Sequence, residues 1–163
     1  MPPIISIVGE SKSGKTTLIE KLISELKSRG YNVATIKHSI HSLSFDKEGK
    51  DSWRHIQAGS SATAIASPDQ VVLIKPVTEE ADLDEIARLL GDDYDIVLTE
   101  GFKQSQVPKI EVHRKAAGLP LSHVNNLIAV ATDEPLGSIA RQFSLNDIKG
   151  IADFLENGFI KPR

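Results

Sequence analysis

Gly9-Glu10-Ser11-Lys12-Ser13-Gly14-Lys15-Thr16 is preceded by the apolar run Ile4-Ile5-Ser6-Ile7-Val8 and runs straight into a helical pattern. The eight residues complete the pattern G-x-x-x-x-G-K-S/T, which works only where a strand delivers it and a helix leaves it. In that setting the backbone N–H groups turn inward around an anion, and the positive end of the helix dipole adds to the attraction. Lys15 then reaches the β- and γ-phosphates of a nucleoside triphosphate, and the Thr16 hydroxyl serves Mg²⁺. A glycine-rich turn capping an ordinary helix is the alternative, and the flanking strand and helix argue against it.

The helix after the loop is expected over residues 14–29, with Leu18, Ile19, Leu22, Ile23 and Leu26 on one face and Gly30 at a left-handed cap. Val33–Lys37 reads as a second strand, a βαβ-like start that favours a parallel sheet. The polar stretch 38–51 is long enough to be a functional loop. A short helix is expected over about 51–59, and two strands over 63–67 and 70–75 around the turn Ser67-Pro68-Asp69. A further helix is expected over 79–90. Residues 95–99 form a continuous apolar strand, Lys109–His113 an alternating one and Leu127–Thr132 another buried one. A last helix is expected over 146–156, with Gly150 as its weak point. The expected architecture is one α/β domain spanning 1–163. Its central sheet is mostly parallel and flanked by helices, with a smaller strand-and-loop excursion near residues 38–75. Ligands of such sheets bind beyond the carboxyl ends of the strands, where the loop of residues 9–16 also lies.

The chain has 163 residues and no cysteine, which excludes disulfides, thiolate metal sites and a cysteine nucleophile. That usage suits a reducing cytosol. Neither a signal peptide nor a membrane-spanning run is read from the pattern, so a cytoplasmic protein is expected. A net charge of −3 with both signs interspersed gives no footprint for nucleic acid.

A phosphate loop of this kind needs a second acid for its metal, at the end of a neighbouring strand. Glu100 sits at the carboxyl end of the strand after Asp95. Asp95 lies at the other end, ~16 Å away at about 3.3 Å per residue, and reads as a strand-start residue. In the polar stretch, Asp46 is a candidate for reaching Mg²⁺ through water or for placing an attacking water, with a solvated loop acid as the alternative. His38 and His41 form a His-x-x-His pair that needs further ligands such as Asp46, His55 or His113 to hold a metal; surface hydrogen bonding is the commoner role. Lys50 and Arg54 read either as phosphate contacts or as helix-surface charges. Lys103, Lys109 and Arg114 read either as a basic rim for an anionic substrate or as loop solubilisers. Asp133, after the strand Leu127–Thr132, stands where a base-reading carboxylate would stand, but no Asn-Lys pair precedes it. The residues leave guanine and adenine open.

In order along the chain, the segments resemble the MobB family of molybdopterin-guanine dinucleotide biosynthesis adaptors. The resemblance runs through the loop to Leu18, Thr35-Ile36-Lys37-His38 with His41, Phe45-Asp46, and Gly49-Lys50-Asp51-Ser52 with Arg54. It continues with Ala58-Gly59, Glu100-Gly101-Phe102-Lys103, Pro108-Lys109-Ile110-Glu111 with Arg114, and Ala131-Thr132-Asp133. It implies a P-loop α/β fold that binds GTP with Mg²⁺, hydrolyses it slowly, and assists the guanylyltransferase joining GMP to molybdopterin. Molybdopterin itself becomes a candidate contact, and a homodimer built through association of the subunits' sheets is implied. By position, Gly9, Glu10, Ser11, Lys12, Ser13, Gly14, Lys15, Thr16 and Thr17 would hold phosphates, and Thr16 and Glu100 the metal. Asp46 would sit in a switch-like loop and Asp133 would face the base. A small-molecule kinase and a metal-delivery GTPase are the competing readings. Against the first, Arg54 and Arg114 are scattered singly; against the second, there is no cysteine.

Overall fold

The computed structural model describes residues 1–41, 43–137 and 140–161; Ser42 of the polar stretch lies outside them. By its contacts the chain divides into two compact units, Met1–His38 with Leu83–Arg163, and Ser39–Asp82.

In the first unit, β1 (Ile4–Val8), β2 (Val33–Lys37), β5 (Ile96–Glu100), β6 (Lys109–His113), β7 (Leu127–Thr132) and β8 (Arg141–Ser144) form one six-stranded sheet. Its order is β2-β5-β1-β6-β7-β8, and every neighbouring pair is parallel. A parallel sheet buries both faces, and the five residues of β1 are accordingly all buried. On one face α1 (Lys15–Ser28) and α4 (Ile148–Gly158) pack Leu18, Leu22, Leu26, Ile151 and Leu155 onto Ile5, Ile7, Leu98 and Ile110. On the other, α3 (Leu83–Leu90) sets Leu83 and Ala87 against Ile4, Ile36 and Val97. Arg29 ties α1 to α4, donating to Asp153 at 2.7 Å and Glu156 at 2.6 Å.

Two helix starts and one strand differ most from the sequence expectation. α3 begins at Leu83 rather than residue 79, because residues 79–82 add nothing to the Leu83–Ala87 core face. α4 begins at Ile148, after Asp147 caps it by accepting from Gly150 N at 3.0 Å. A side chain at Gly150 would run into that carboxylate, so this glycine belongs to the cap instead of weakening the helix. β8 was not expected. It is four residues long, with only Phe143 buried, too short for its alternation to signal a strand.

β6 carries the largest surprise. Its alternation reads as half-solvated, yet all five residues are buried. Ile110 and Val112 join the core shared with α1, so Lys109, Glu111 and His113 point to the opposite face. Each has a partner there. Lys109 Nζ donates to the carbonyls of Ser105, Val107 (3.1 Å) and Asn125 (3.2 Å). Glu111 Oε1 accepts from Leu121 N at 2.7 Å, and His113 Nε2 lies 2.8 Å from Glu134 Oε1. Lys109 is therefore neither a basic rim nor a solubiliser. It staples two loops, and burial lowers its pKa below the ordinary lysine value.

In the second unit, α2 (Asp51–Gln57) is followed by the antiparallel pair β3 (Thr63–Ala66) and β4 (Val71–Ile74), the excursion expected near residues 38–75.

Candidate functional site

The loop of residues 9–16 leaves the carboxyl end of β1 and ends at the first turn of α1, as its pattern requires. Its path needs unusual backbone. Gly9, Lys12 and Gly14 all have positive φ, at 153°, 64° and 102°. A β-carbon on Gly9 would collide with the Val112 carbonyl on neighbouring β6, so the strand-to-loop turn closes only with glycine. The first loop-to-helix bond runs from Leu18 N to Gly14 O at 3.0 Å. The amides of Lys15, Thr16 and Thr17 therefore open the helix without acceptors one turn back, the arrangement that suits an anion.

Lys15 Nζ donates to Gly9 O at 3.2 Å and Glu10 O at 2.7 Å, bringing the ammonium back over the loop. Burial holds its pKa below the ordinary lysine value. Glu100 and Glu10 oppose that shift, while Lys103 and Lys37 reinforce it. The region thus gathers cationic charge at a loop built for anions. Ser13 is buried, and its Oγ has no hydrogen-bond partner among the described residues.

Thr16 and Glu100, 84 positions apart in the chain, meet here. The Thr16 hydroxyl lies 3.1 Å and 3.0 Å from the two Glu100 carboxylate oxygens. Beneath them, Ser6 and Thr99 share a buried hydroxyl hydrogen bond of 2.7 Å that joins β1 to β5. A hydroxyl and a carboxylate converging beside a phosphate loop form an all-oxygen donor set of the kind Mg²⁺ takes. The residues present therefore fit the metal. Asp95, by contrast, accepts from Asn32 N at 2.7 Å at the far end of β5, the strand-start role its position suggested.

The structure treats the other sequence candidates unevenly. Lys103 is exposed, with Nζ 3.8 Å from Glu10 Oε1. Arg114 Nε lies 3.4 Å from Ser13 O, which puts the guanidinium against the loop itself. Nothing in the spacing of two residues 101 positions apart could have shown that contact. Lys37, singled out in the sequence only as part of the Thr35–His38 block, pairs in register with Glu100 across β2 and β5, and both point to the α1 face. Asp133 is exposed and its Oδ1 accepts from Lys115 N at 2.8 Å. His38 lays its ring on Phe102, with centroids 4.8 Å apart. Among the described residues no group of three His, Asp or Glu side chains gathers as a metal site.

Asp46 belongs to the Ser39–Asp82 unit. Its Oδ1 accepts from Lys47 N and Ser52 Oγ, each at 2.9 Å, and its Oδ2 is buried with no partner among the described residues. The same unit leaves Ile65, Val71, Val72 and Leu73 of the strand pair exposed, with Leu43 and Phe45. It also contains an apolar cavity of about 760 Å³ lined in part by Phe45, Trp53, Ile56, Leu73 and Pro76.

Comparisons with known proteins point to one family. Residues 4–133 match the family model MobB, "Molybdopterin guanine dinucleotide synthesis protein B". A molybdopterin-guanine dinucleotide biosynthesis adapter protein of Haemophilus influenzae is 44% identical over 95% of this chain and 88% of its own length. One from Escherichia coli is 38% identical over 95% of this chain and 92% of its own. A crystal structure of molybdopterin-guanine biosynthesis protein B superposes with a TM-score of 0.74 at 34% identity, covering 94% of this chain and 97% of that one. No helix among the described residues is long and apolar enough to cross a membrane.

Proposed function

Because the chain belongs to the MobB family and is an adapter of molybdopterin guanine dinucleotide biosynthesis, we propose that it fills that role by binding GTP with Mg²⁺ and hydrolysing it slowly. Its partner is the guanylyltransferase that joins GMP to molybdopterin, in the cytoplasm. The observation that carries the reading is the meeting of Thr16 with Glu100 at the mouth of the loop.

Residues 9–17 hold the phosphates through backbone N–H groups, and Lys15 neutralises charge on the β- and γ-phosphates. Thr16 and Glu100 hold Mg²⁺, which when bound offsets the charge that develops on the transferred phosphoryl group. Asp46 orients the attacking water, an assignment resting on its place in the sequence pattern. Asp133 faces the base with the oxygen that Lys115 does not use. Competition of fluorescent GTP with unlabelled GTP and ATP, followed by single-turnover hydrolysis, tests the scheme. Guanine preference is expected, with hydrolysis reduced and affinity retained in Asp46→Asn. Equal competition by ATP would remove Asp133 from the base, and hydrolysis untouched by Asp46→Asn would remove that residue from the water.

We also propose that the strand pair β3–β4 is covered by a second copy of the chain. A two-stranded sheet is marginal alone, and here Ile65, Val71, Val72 and Leu73 are exposed. Sedimentation at micromolar concentration should give a dimer that Leu73→Asp returns to monomer. A wild-type monomer across that range would sink this arrangement.

A further inference from the structure

Arg114 follows β6, the strand beside β1 on the side opposite β5 and Glu100. Its Nε is 3.4 Å from Ser13 O, and its Nη2 is 3.4 Å from where a β-carbon on Gly14 would stand. The guanidinium therefore lies over the Ser13–Gly14 peptide, one residue before Lys15. Among the described residues no carboxylate pairs with it, whereas Arg29 engages three. Most of its five N–H donors are thus uncommitted at the edge of an anion loop.

The turn that carries Arg114 is fixed on both sides. His113 Nε2 meets Glu134 Oε1 at 2.8 Å, Lys115 N donates to Asp133 Oδ1 at 2.8 Å, and Lys115 Nζ lies 3.7 Å from Glu134 Oε2. Ala117 N closes the turn onto Arg114 O at 2.8 Å. Two adjacent acids after β7 thereby hold the residues flanking Arg114, and a guanidinium on an anchored backbone is ready to pair with phosphate oxygens at two points.

We propose that Arg114 is a phosphate-binding arm for nucleoside di- and triphosphates, acting on the nucleoside side of the loop, and that Asp133 and Glu134 are its positioning residues. This rests on the nucleotide reading of the loop. Because Glu100 and Thr16 stand across β1 from Arg114, the arm serves the part of the phosphate chain remote from the metal. It therefore contributes equally to GTP and GDP.

The test is binding of fluorescent GTP, GDP and ATP, each with Mg²⁺ and with chelator, to the full chain and to Arg114→Ala, Arg114→Lys, Asp133→Ala and Asp133→Asn. Arg114→Ala should weaken both nucleotides by about tenfold, as loss of a charge-assisted contact does, without altering the effect of Mg²⁺. Arg114→Lys should recover part of the loss. Asp133→Ala, which frees the turn, should weaken ATP as well as GTP, a loss that removal of a base contact alone would not cause, while Asp133→Asn keeps an acceptor for Lys115 N and should leave ATP nearly unchanged. Normal wild-type binding with Arg114→Ala unchanged, or weakened for GTP alone, overturns the arm. A loss in Asp133→Ala confined to GTP, with ATP unchanged, overturns the positioning role and leaves base reading alone. A wild-type chain that binds neither nucleotide overturns the arm together with the reading beneath it.

Discussion

Lys15→Ala is expected to lower GTP affinity by two to three orders of magnitude while leaving the fold intact. The ammonium bridges Gly9 O and Glu10 O, so it sits where the phosphates of a nucleotide in the loop would lie. Charge-assisted hydrogen bonds contribute about 1.5–3 kcal/mol each, and two of them correspond to roughly 10²–10⁴ in a dissociation constant. Lys15 is half-buried and its two acceptors are local loop carbonyls, so its loss leaves the sheet and α1 untouched. Thermal denaturation therefore separates lost binding from lost fold. The pH dependence has a defined sign. Burial and the neighbouring lysines depress the pKa of Lys15 in the free site, and an anion in the loop raises it again. Binding is then coupled to holding a proton on Lys15. Affinity stays level near neutrality and falls as pH rises past the free-site pKa toward the lysine range. Unchanged titration of Lys15→Ala with GTP would take the nucleotide out of this loop.

The loop was legible because its meaning is local. Strand, glycines and helix lie within 25 residues, and each glycine answers a constraint set by near neighbours. Glu100 was legible for a different reason: a strand carries direction, so an acid at its carboxyl end lies on the same edge of a parallel sheet as the loop. What could not be read is what depends on who faces whom. Lys109 looks like a solvent residue in an alternating strand, and only the carbonyls of residues 105, 107 and 125, brought together by two loops, explain its burial. Arg114 could be placed near a basic rim, but its contact with Ser13 arises from the pairing of β6 with β1. Asp133 stands where a base-reading carboxylate would stand, and the sequence gives no sign that one of its oxygens accepts from the turn after β6. β8 and the late start of α3 show the same limit from the other side. Short elements with one or two core residues carry too little periodicity to announce their ends.

Glu100→Gln should abolish most of the Mg²⁺ dependence of GTP binding, with little loss of affinity when the metal is chelated. Glu100 lies against Thr16 at the mouth of the loop, and a bare carboxylate there repels a polyphosphate. Its presence at an anion site makes sense when a dication neutralises it. Glutamine keeps the length and an acceptor oxygen for the Thr16 hydroxyl, so the β1–β5 edge and its buried Ser6–Thr99 bond are preserved. What is lost is the negative charge that a hard, oxygen-seeking cation requires. In chelator, removing that charge should leave GTP affinity equal or slightly improved. With Mg²⁺ the wild type should gain at least tenfold over the variant, a difference of about 1.4 kcal/mol. The effect should be smaller for GDP, which has no γ-phosphate to share the metal. Thr16→Val should reproduce it in milder form by removing one neutral ligand and no charge. If Mg²⁺ strengthens GTP binding equally in Glu100→Gln and the wild type, the metal's acid lies elsewhere, and the Thr16–Glu100 contact is only a clasp between α1 and β5.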